Sequence, residues 1–189
     1  MSGLGYSSMG GSEAFWLAVA VLVYVTGQRL YELRVAQRNT VALLEAGGRE
    51  HGAGHYPAIV VMHACWLIGL WLFAVFMPAS GAATTAVYVL PLVLFAAVQV
   101  VRFWTLATLG ARWTTRIITV PDEQLVQRGP FRYVSHPNYL VVIAEICLLP
   151  LAFGLPLYAA VFSALNAAVL TVRISAEERA LLTVGDRSP

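Results

Sequence analysis

Long apolar segments decide what this chain can fold into. A helix needs about 20 apolar residues to cross the hydrocarbon core of a bilayer, and runs of about that length recur along the sequence. Of the 189 residues 59% are apolar and only 12% are charged, against about 25% charged in an average soluble domain. We therefore expect an all-α integral membrane protein that forms a single domain over residues 1–189. About five spans are predicted, at 14–35, 57–77, 86–109, 139–153 and 155–174.

The last two spans are predicted to form a tight helical hairpin. Only Gly154 separates them, and Pro150 and Pro156 flank the turn. Glycine and proline are strong turn signals. The fourth span is short for a full crossing, which leaves two alternatives: it tilts, or it turns back before the far leaflet.

Charge distribution predicts the orientation in the membrane. All twelve basic residues are arginines. If the N-terminus is outside, the outer segments 1–13, 78–85 and 150–156 contain no arginine, and every arginine lies on the other side or in a helix near it. This is the positive-inside pattern. We therefore expect an N-terminus outside and a functional site on the cytosolic face.

The segment FRYVSHPNYL, residues 131–140, directly precedes the fourth span. Pro137 suits the first position of a helix, which predicts His136 at the cap. The free N–H groups at such a helix start can hold a carboxylate or phosphate. His136 and Tyr139 are three residues apart and share a face, and Arg132 lies in the turn upstream. Taken alone, these residues also fit simple anchoring at the membrane interface.

A second polar segment, RISAEERALL at 173–182, leaves the fifth span. Arg173 and Glu177 are four residues apart and can pair on one helix face, whereas Glu178 points about 100° away. A solvated helix end is the plain alternative for this segment. Because the last two spans are joined by a short turn, we expect this segment to lie beside FRYVSHPNYL.

The two segments together resemble the signature pair of the isoprenylcysteine carboxyl methyltransferase family. GPFRYVSHPNYL is similar to the pattern G-P-[YF]-R-x-x-R-H-P-x-Y, and RISAEERALL is similar to R-x-x-x-E-E-x-x-L. The similarity covers residues 109–182 and includes LGARWTTRI. It implies an all-helical membrane enzyme that binds S-adenosylmethionine at the cytosolic face and methylates an oxygen of a lipophilic acceptor.

The resemblance also implies roles for individual residues. Ser135 departs from the family pattern, which has arginine there, so one polar contact of the pocket is expected to differ. Catalytic roles are implied for Arg173 and Glu177. The residues expected to bind the cofactor are Arg132, His136, Pro137, Tyr139, Glu177 and Glu178. Trp113 is added to them because it lies beside Arg112 and near Arg116 in the sequence, with a packing or interface aromatic as the alternative.

The N-terminal half resembles a bacterial branch of the same family. QRLYELRVAQRN, GGREHGAGHYP and HACWL are similar to members associated with type III polyketide synthases. This implies a protein of the bacterial cytoplasmic membrane that methylates a phenolic or enolic hydroxyl of an alkylresorcinol or alkylpyrone. Carboxyl methylation of an isoprenylcysteine-type substrate is the alternative.

Glu145 is the only acid deep in an apolar span. Ionisable residues inside a membrane are costly and indicate function by default, and a phenol with a pKa of about 10 gains from a general base. Glu145 is therefore predicted to be catalytic, with a structural ion pair to Arg102 as the alternative. Arg29 and Glu32, three residues apart at the inner end of the first span, are also expected to pair.

Other classes of function fit the sequence less well. No metal site is expected, because Gly52 and Gly54 disfavour the helix that would align His51 with His55, and no set of thiolate or carboxylate ligands accompanies them. A nicotinamide-dependent reductase of the sterol-reductase type carries a similar C-terminal motif, but such chains usually have more helices. A non-catalytic membrane scaffold would not need so many polar groups at one helix pair. Nothing indicates a nucleic-acid partner.

Overall fold

The structure is a computed structural model that describes residues 11–76, 85–121 and 126–185. Helices dominate the part of the chain that it describes, which confirms the predicted all-α membrane fold. Two strands of three residues, β1 (Arg49–His51) and β2 (Ile117–Thr119), accompany them. Within the described ranges there are five α-helices: α1 (Gly11–Glu45), α2 (Tyr56–Phe76), α3 (Thr85–Leu109), α4 (Pro137–Ala152) and α5 (Pro156–Gly185).

Four of these helices, α1, α2, α3 and α5, are long and apolar enough to cross a membrane. Helix α4 has 16 residues, a length of about 24 Å at 1.5 Å per residue. That is shorter than the hydrocarbon core of about 30 Å, as its sequence indicated.

The helix ends differ from the predicted spans at α1 and α5, which have 35 and 30 residues. The prediction ended both spans where polar residues begin, at 35 and 174, but both helices continue beyond the apolar run. The polar extension of α1 binds the segment that follows α3, because the Asn39 side chain donates hydrogen bonds to the carbonyls of Gly110 and Trp113. Residue 77, the predicted end of the second span, lies outside the described residues.

The predicted hairpin between α4 and α5 is confirmed, and its turn closes α4 with a Schellman motif. Gly154 is left-handed, with φ of 74°. Its N–H donates to the carbonyl of Leu151 at 3.0 Å, and the N–H of Leu155 donates to the carbonyl of Pro150 at 2.9 Å. These two bonds satisfy carbonyls at the end of α4. Pro156 then begins α5, a position that tolerates proline because no N–H is needed there.

A short antiparallel ribbon was not predicted. β1 pairs with β2 in the register Arg49 with Thr119 and His51 with Ile117, so the α1–α2 connection is tied to the α3–α4 connection. Helix α5 contacts both strands. We call this end of the bundle, where the ribbon meets the C-terminal turns of α5, the polar end.

The apolar core lies between the helices, away from the polar end of the bundle. It draws side chains from α1, α2, α3 and α4, with Tyr158 and Phe162 of α5 packed against it. Its buried members are Leu22, Val25, Met62, Trp66, Leu70, Phe95, Ile146 and Leu149.

Candidate active site

Four side chains from α4 and α5 meet at the polar end. The Tyr139 hydroxyl donates a hydrogen bond to the carboxylate of Glu177 and accepts one from Nε of Arg173 at 2.9 Å. The His136 ring stacks on the Tyr139 ring with 5.1 Å between centroids, and its Nδ1 lies 3.7 Å from Oε2 of Glu177. We call His136, Tyr139, Arg173 and Glu177 the site cluster. The expectation that the two motifs lie side by side is confirmed.

Local structure explains how α4 presents its half of the cluster. Helix α4 begins at Pro137 with His136 at the cap, as predicted. The His136 side chain makes no capping hydrogen bond, so its ring is available to stack on Tyr139 one turn later. Because residues three apart share a helix face, both rings point toward α5.

Arg173 and Glu177 are connected through a third residue. The Tyr139 hydroxyl reaches across from α4 and bonds to both. Arg173 also donates from Nη1 to the carbonyl of Thr115 at 2.9 Å, and its guanidinium lies 5.6 Å from the centroid of the Tyr139 ring. The sequence predicted the spacing of the pair but not the tyrosine between its members.

The remaining predicted cofactor residues lie around this cluster with different exposure. Pro137 is buried, whereas Arg132 and Glu178 are exposed. Trp113 is buried, and its indole Nε1 has no hydrogen-bond partner among the described residues. The carboxamide oxygen of Asn138, in the first turn of α4, is likewise buried without a partner. That these residues contact a cofactor stays a prediction.

A hydrogen-bonded segment beside the site was missed by sequence reasoning. Residues 113–116 are held from three sides. The Thr114 hydroxyl bonds to Thr40 of α1 at 2.7 Å, and the Thr115 hydroxyl bonds to Tyr56 of α2 at 3.0 Å. Arg116 forms an ion pair with Glu50 of β1, with Nη1 at 2.7 and 2.8 Å from the two carboxylate oxygens. The LGARWTTRI match was the only signal of this segment in the sequence.

A second polar cluster lies deeper in the bundle, around Glu145. Its Oε1 accepts from Gln99 at 2.8 Å, and its Oε2 accepts from Arg29 at 2.5 Å and from Arg102 at 3.0 Å. Glu32 pairs with the same two arginines, at 3.0 Å from Arg29. We call these five residues the ion network. Two carboxylates face two guanidinium groups, so the network is neutral overall.

This arrangement bears on the predicted role of Glu145. The structure contains the ion pair with Arg102 that was the alternative to a catalytic role, and the expected pair between Arg29 and Glu32 is confirmed. Both oxygens of Glu145 already accept hydrogen bonds, and the residue is 2% exposed. A general base must reach the proton that it abstracts. The contacts therefore favour the structural alternative that the sequence left open.

Comparison with known proteins identifies the family. Residues 89–183 match the model of the isoprenylcysteine carboxyl methyltransferase family, a region that contains both motifs and the whole site cluster. The chain belongs to this family. Membership makes it an integral membrane methyltransferase that depends on S-adenosylmethionine.

Two bacterial relatives extend the similarity over most of the chain. It is 40% identical over 170 residues to the uncharacterized protein YpbQ of Bacillus subtilis (strain 168), which covers 88% of this chain and 96% of that protein. It is 27% identical over 162 residues to an uncharacterized protein of Haemophilus influenzae, covering 81% and 88% of the two chains. No solved structure matches the chain.

Proposed function

We propose that this methyltransferase transfers the methyl group of S-adenosylmethionine to a hydroxyl oxygen of a lipophilic acceptor, a phenol or enol of a polyketide lipid. The site cluster is the observation that carries the proposal. It joins the two family motifs through Tyr139 at the polar end of an apolar bundle. A polar cofactor can reach this end from water while an acceptor enters from the membrane.

The residues at this end fit the charges of the cofactor. S-adenosylmethionine supplies an activated methyl group and carries a carboxylate, an ammonium group and a sulfonium. Arg173 can hold the carboxylate and Glu177 the ammonium through charge-assisted hydrogen bonds. Two buried polar atoms that lack partners in the described part of the chain, Nε1 of Trp113 and Oδ1 of Asn138, offer a donor and an acceptor. Buried groups of this kind normally have partners, which a ligand would provide.

Other predicted residues complete the proposed cofactor site. Arg132 is exposed in the turn that precedes α4, Pro137 begins the helix, and Glu178 lies on the exposed side of α5. His136 contributes the face of its ring. We propose that these residues cover the cofactor from the aqueous side.

The chain mainly has to position the reactants. Methyl transfer to oxygen is an in-line displacement, and holding the reacting atoms in near-attack geometry supplies much of the rate enhancement. Tyr139 fixes both Arg173 and Glu177, so the proposed catalytic pair is organised before the substrates bind. The apolar helices below exclude water from the acceptor side. We assign Glu145 to the ion network that stabilises this arrangement.

The choice of acceptor rests on sequence alone. QRLYELRVAQRN, GGREHGAGHYP and HACWL support a polyketide lipid and a type III polyketide synthase pathway as its source. Carboxyl methylation of an isoprenylcysteine-type substrate is the second candidate, favoured by the name of the matched family. The same family match favours a methyltransferase over a sterol-type reductase. The bacterial relatives support a bacterial cytoplasmic membrane, and the arginine distribution supports an N-terminus outside and a site facing the cytosol.

A direct assay tests the proposal. Purified protein in detergent is given radiolabelled S-adenosylmethionine with an alkylresorcinol, an alkylpyrone or a farnesylcysteine analogue. We expect label on the polyketide lipids. Label on farnesylcysteine alone would move the assignment to carboxyl methylation, and no cofactor binding by calorimetry would refute the methyltransferase function.

A pair of arginine variants localises the site. Arg173→Ala removes the guanidinium of the site cluster and is expected to abolish label transfer. Arg179→Ala removes an exposed guanidinium less than two turns further along α5 and is expected to retain it. Equal activity of the two variants would contradict the assigned site.

A further inference from the structure

Three polar side chains lie inside α2 and α5 without belonging to the site cluster or the ion network. They are His63 of α2 and Ser163 and Asn166 of α5. The Asn166 carboxamide oxygen and the Ser163 hydroxyl are buried and have no hydrogen-bond partner among the described residues, and Asn166 is 1% exposed. Unpaired polar groups in an apolar core are unfavourable, so their presence calls for a partner that binds there.

Contacts at both ends of α2 and α5 show how the two helices face each other. Near the polar end, the Tyr56 hydroxyl bonds to the Thr115 hydroxyl, and the backbone carbonyl of Thr115 accepts a hydrogen bond from Arg173. Toward the other end, the Tyr158 hydroxyl donates to the carbonyl of Trp66 at 2.8 Å. Between these contacts, residues 56–66 of α2 run antiparallel to residues 158–173 of α5. We call this stretch the α2–α5 seam.

The helical repeat relates the positions of the unexplained polar groups to these contacts. His63 follows Tyr56 by seven residues, and Asn166 precedes Arg173 by seven. Seven residues are close to two turns, so each shares a face with its partner and lies about 10 Å farther from the polar end. Because Tyr56 and Arg173 both approach Thr115, His63 and Asn166 lie at a similar depth below the polar end. Ser163 lies one turn below Asn166.

Hydrogen bonding determines the state of the His63 ring. Its Nδ1 lies 2.8 Å from the carbonyl of Ile59. A carbonyl only accepts, so Nδ1 carries the hydrogen and Nε2 of the neutral ring presents a lone pair. Nε2 has no hydrogen-bond partner among the described residues. Ile59 is one turn nearer the polar end, so the Nδ1 edge of the ring points toward that end.

His63 also interacts electrostatically with both charged clusters. The charges of Arg29 and Glu145 in the ion network, and of Arg173 in the site cluster, are all close enough to act on its ring. Glu145 is occupied by three donors. Near this seam, Nε2 of His63 is thus a free proton acceptor, and Glu145 is not.

We propose that the α2–α5 seam binds the hydroxyl-bearing head of the lipophilic acceptor and that Nε2 of His63 takes the hydroxyl proton. This inference rests on the proposed methyl transfer to a hydroxyl. The acceptor oxygen gains the methyl group as the methyl–sulfur bond breaks, and the sulfonium becomes a neutral thioether. The positive charge passes with the proton to His63, which returns it to water. Asn166 and Ser163 hydrogen-bond the acceptor's polar groups.

His63→Gln tests the proton transfer, because glutamine accepts a hydrogen bond but takes up no proton at neutral pH. We expect methylation of an alkylresorcinol to fall by about 100-fold or more, the range for a general base. An alkylpyrone, with a more acidic hydroxyl, should lose less, and S-adenosylmethionine affinity should stay near the wild-type value. His51→Gln is the matched control, since His51 bonds to Thr119 in the ribbon.

The outcomes separate the two proposals. An equal loss on both acceptors would indicate a structural role for His63 and overturn the inference, as would unchanged rates. Wild-type protein that methylates neither lipid would instead refute the proposed function itself.

Asn166→Leu gives an independent test that does not depend on the histidine. Leucine has a similar volume and removes the unpaired carboxamide, so the free protein should be at least as stable as the wild type. Acceptor KM should rise by about tenfold, the effect of one lost hydrogen bond. A variant with unchanged KM would show that the seam does not bind the acceptor head.

Discussion

Replacing Glu145 with glutamine leaves two guanidinium groups facing a single carboxylate inside the bundle. In the wild type, Arg29 and Arg102 are balanced by Glu32 and Glu145, and only Arg29 retains appreciable exposure, with 22% of its side chain accessible. Removing one partner of a buried ion pair costs about 3–5 kcal/mol, and each kcal/mol lowers Tm by about 2–4 °C in a chain of this size. We therefore expect Tm to fall by about 6–20 °C.

Thermal unfolding in detergent measures this loss. The double variant Glu145→Gln with Arg102→Gln restores neutrality, because Arg29 then faces Glu32 alone, and should recover part of the lost Tm. Glu50→Gln is the control, since the Glu50 pair has an arginine side chain that is 40% exposed and such pairs contribute about 0–1 kcal/mol. A Glu145→Gln protein that unfolds at the wild-type temperature would refute the reasoning.

The same variant separates a structural role from a catalytic one. Well below its Tm, folded Glu145→Gln should keep methylation of a phenolic acceptor within about tenfold of wild type, because a general base is worth about 10²–10⁴-fold. A greater loss together with normal cofactor binding would restore Glu145 as the base and remove His63 from that role.

Three further variants test local features. Tyr139→Phe removes the hydroxyl that joins the two charges of the site cluster, and calorimetry should show S-adenosylmethionine affinity lowered by about tenfold or more, since hydrogen bonds to charged groups contribute about 1.5–3 kcal/mol. Gly154→Ala forces a side chain into a left-handed position at a cost of about 1–2 kcal/mol, whereas Gly27→Ala, in open space within α1, should raise Tm slightly. Gly69→Ala places a methyl group against the Tyr158 hydroxyl and should destabilise by about 1–3 kcal/mol; adding Tyr158→Phe should relieve much of that loss.

Fold class and hairpin could be predicted because they depend on local signals. Runs of apolar residues specify membrane helices without reference to the rest of the chain, and Gly154 with Pro156 specifies a turn within a few residues. The ribbon could not be predicted in this way. Its strands have three residues each, too few for an alternating pattern to be recognised, and they pair across the whole of α2 and α3.

The candidate site was predictable in its members but not in its connections. His136, Tyr139, Arg173 and Glu177 stand in two motifs, and the hairpin implies that they meet. That Tyr139 lies between Arg173 and Glu177 depends on how far α4 and α5 are rotated about their axes, which packing decides.

For the buried charges, the sequence by itself determined which residues must find partners. A membrane interior leaves Glu145 and Arg102 no water to bind, so pairing was required of them wherever they lay. Only the tertiary structure decided that α1, α3 and α4 would bring two such pairs together around Gln99 and occupy both oxygens of Glu145. Among the residues that the structure describes, the same packing left Nε2 of His63 without a partner, because hydrogen-bond satisfaction depends on which side chains neighbouring helices bring within about 3 Å.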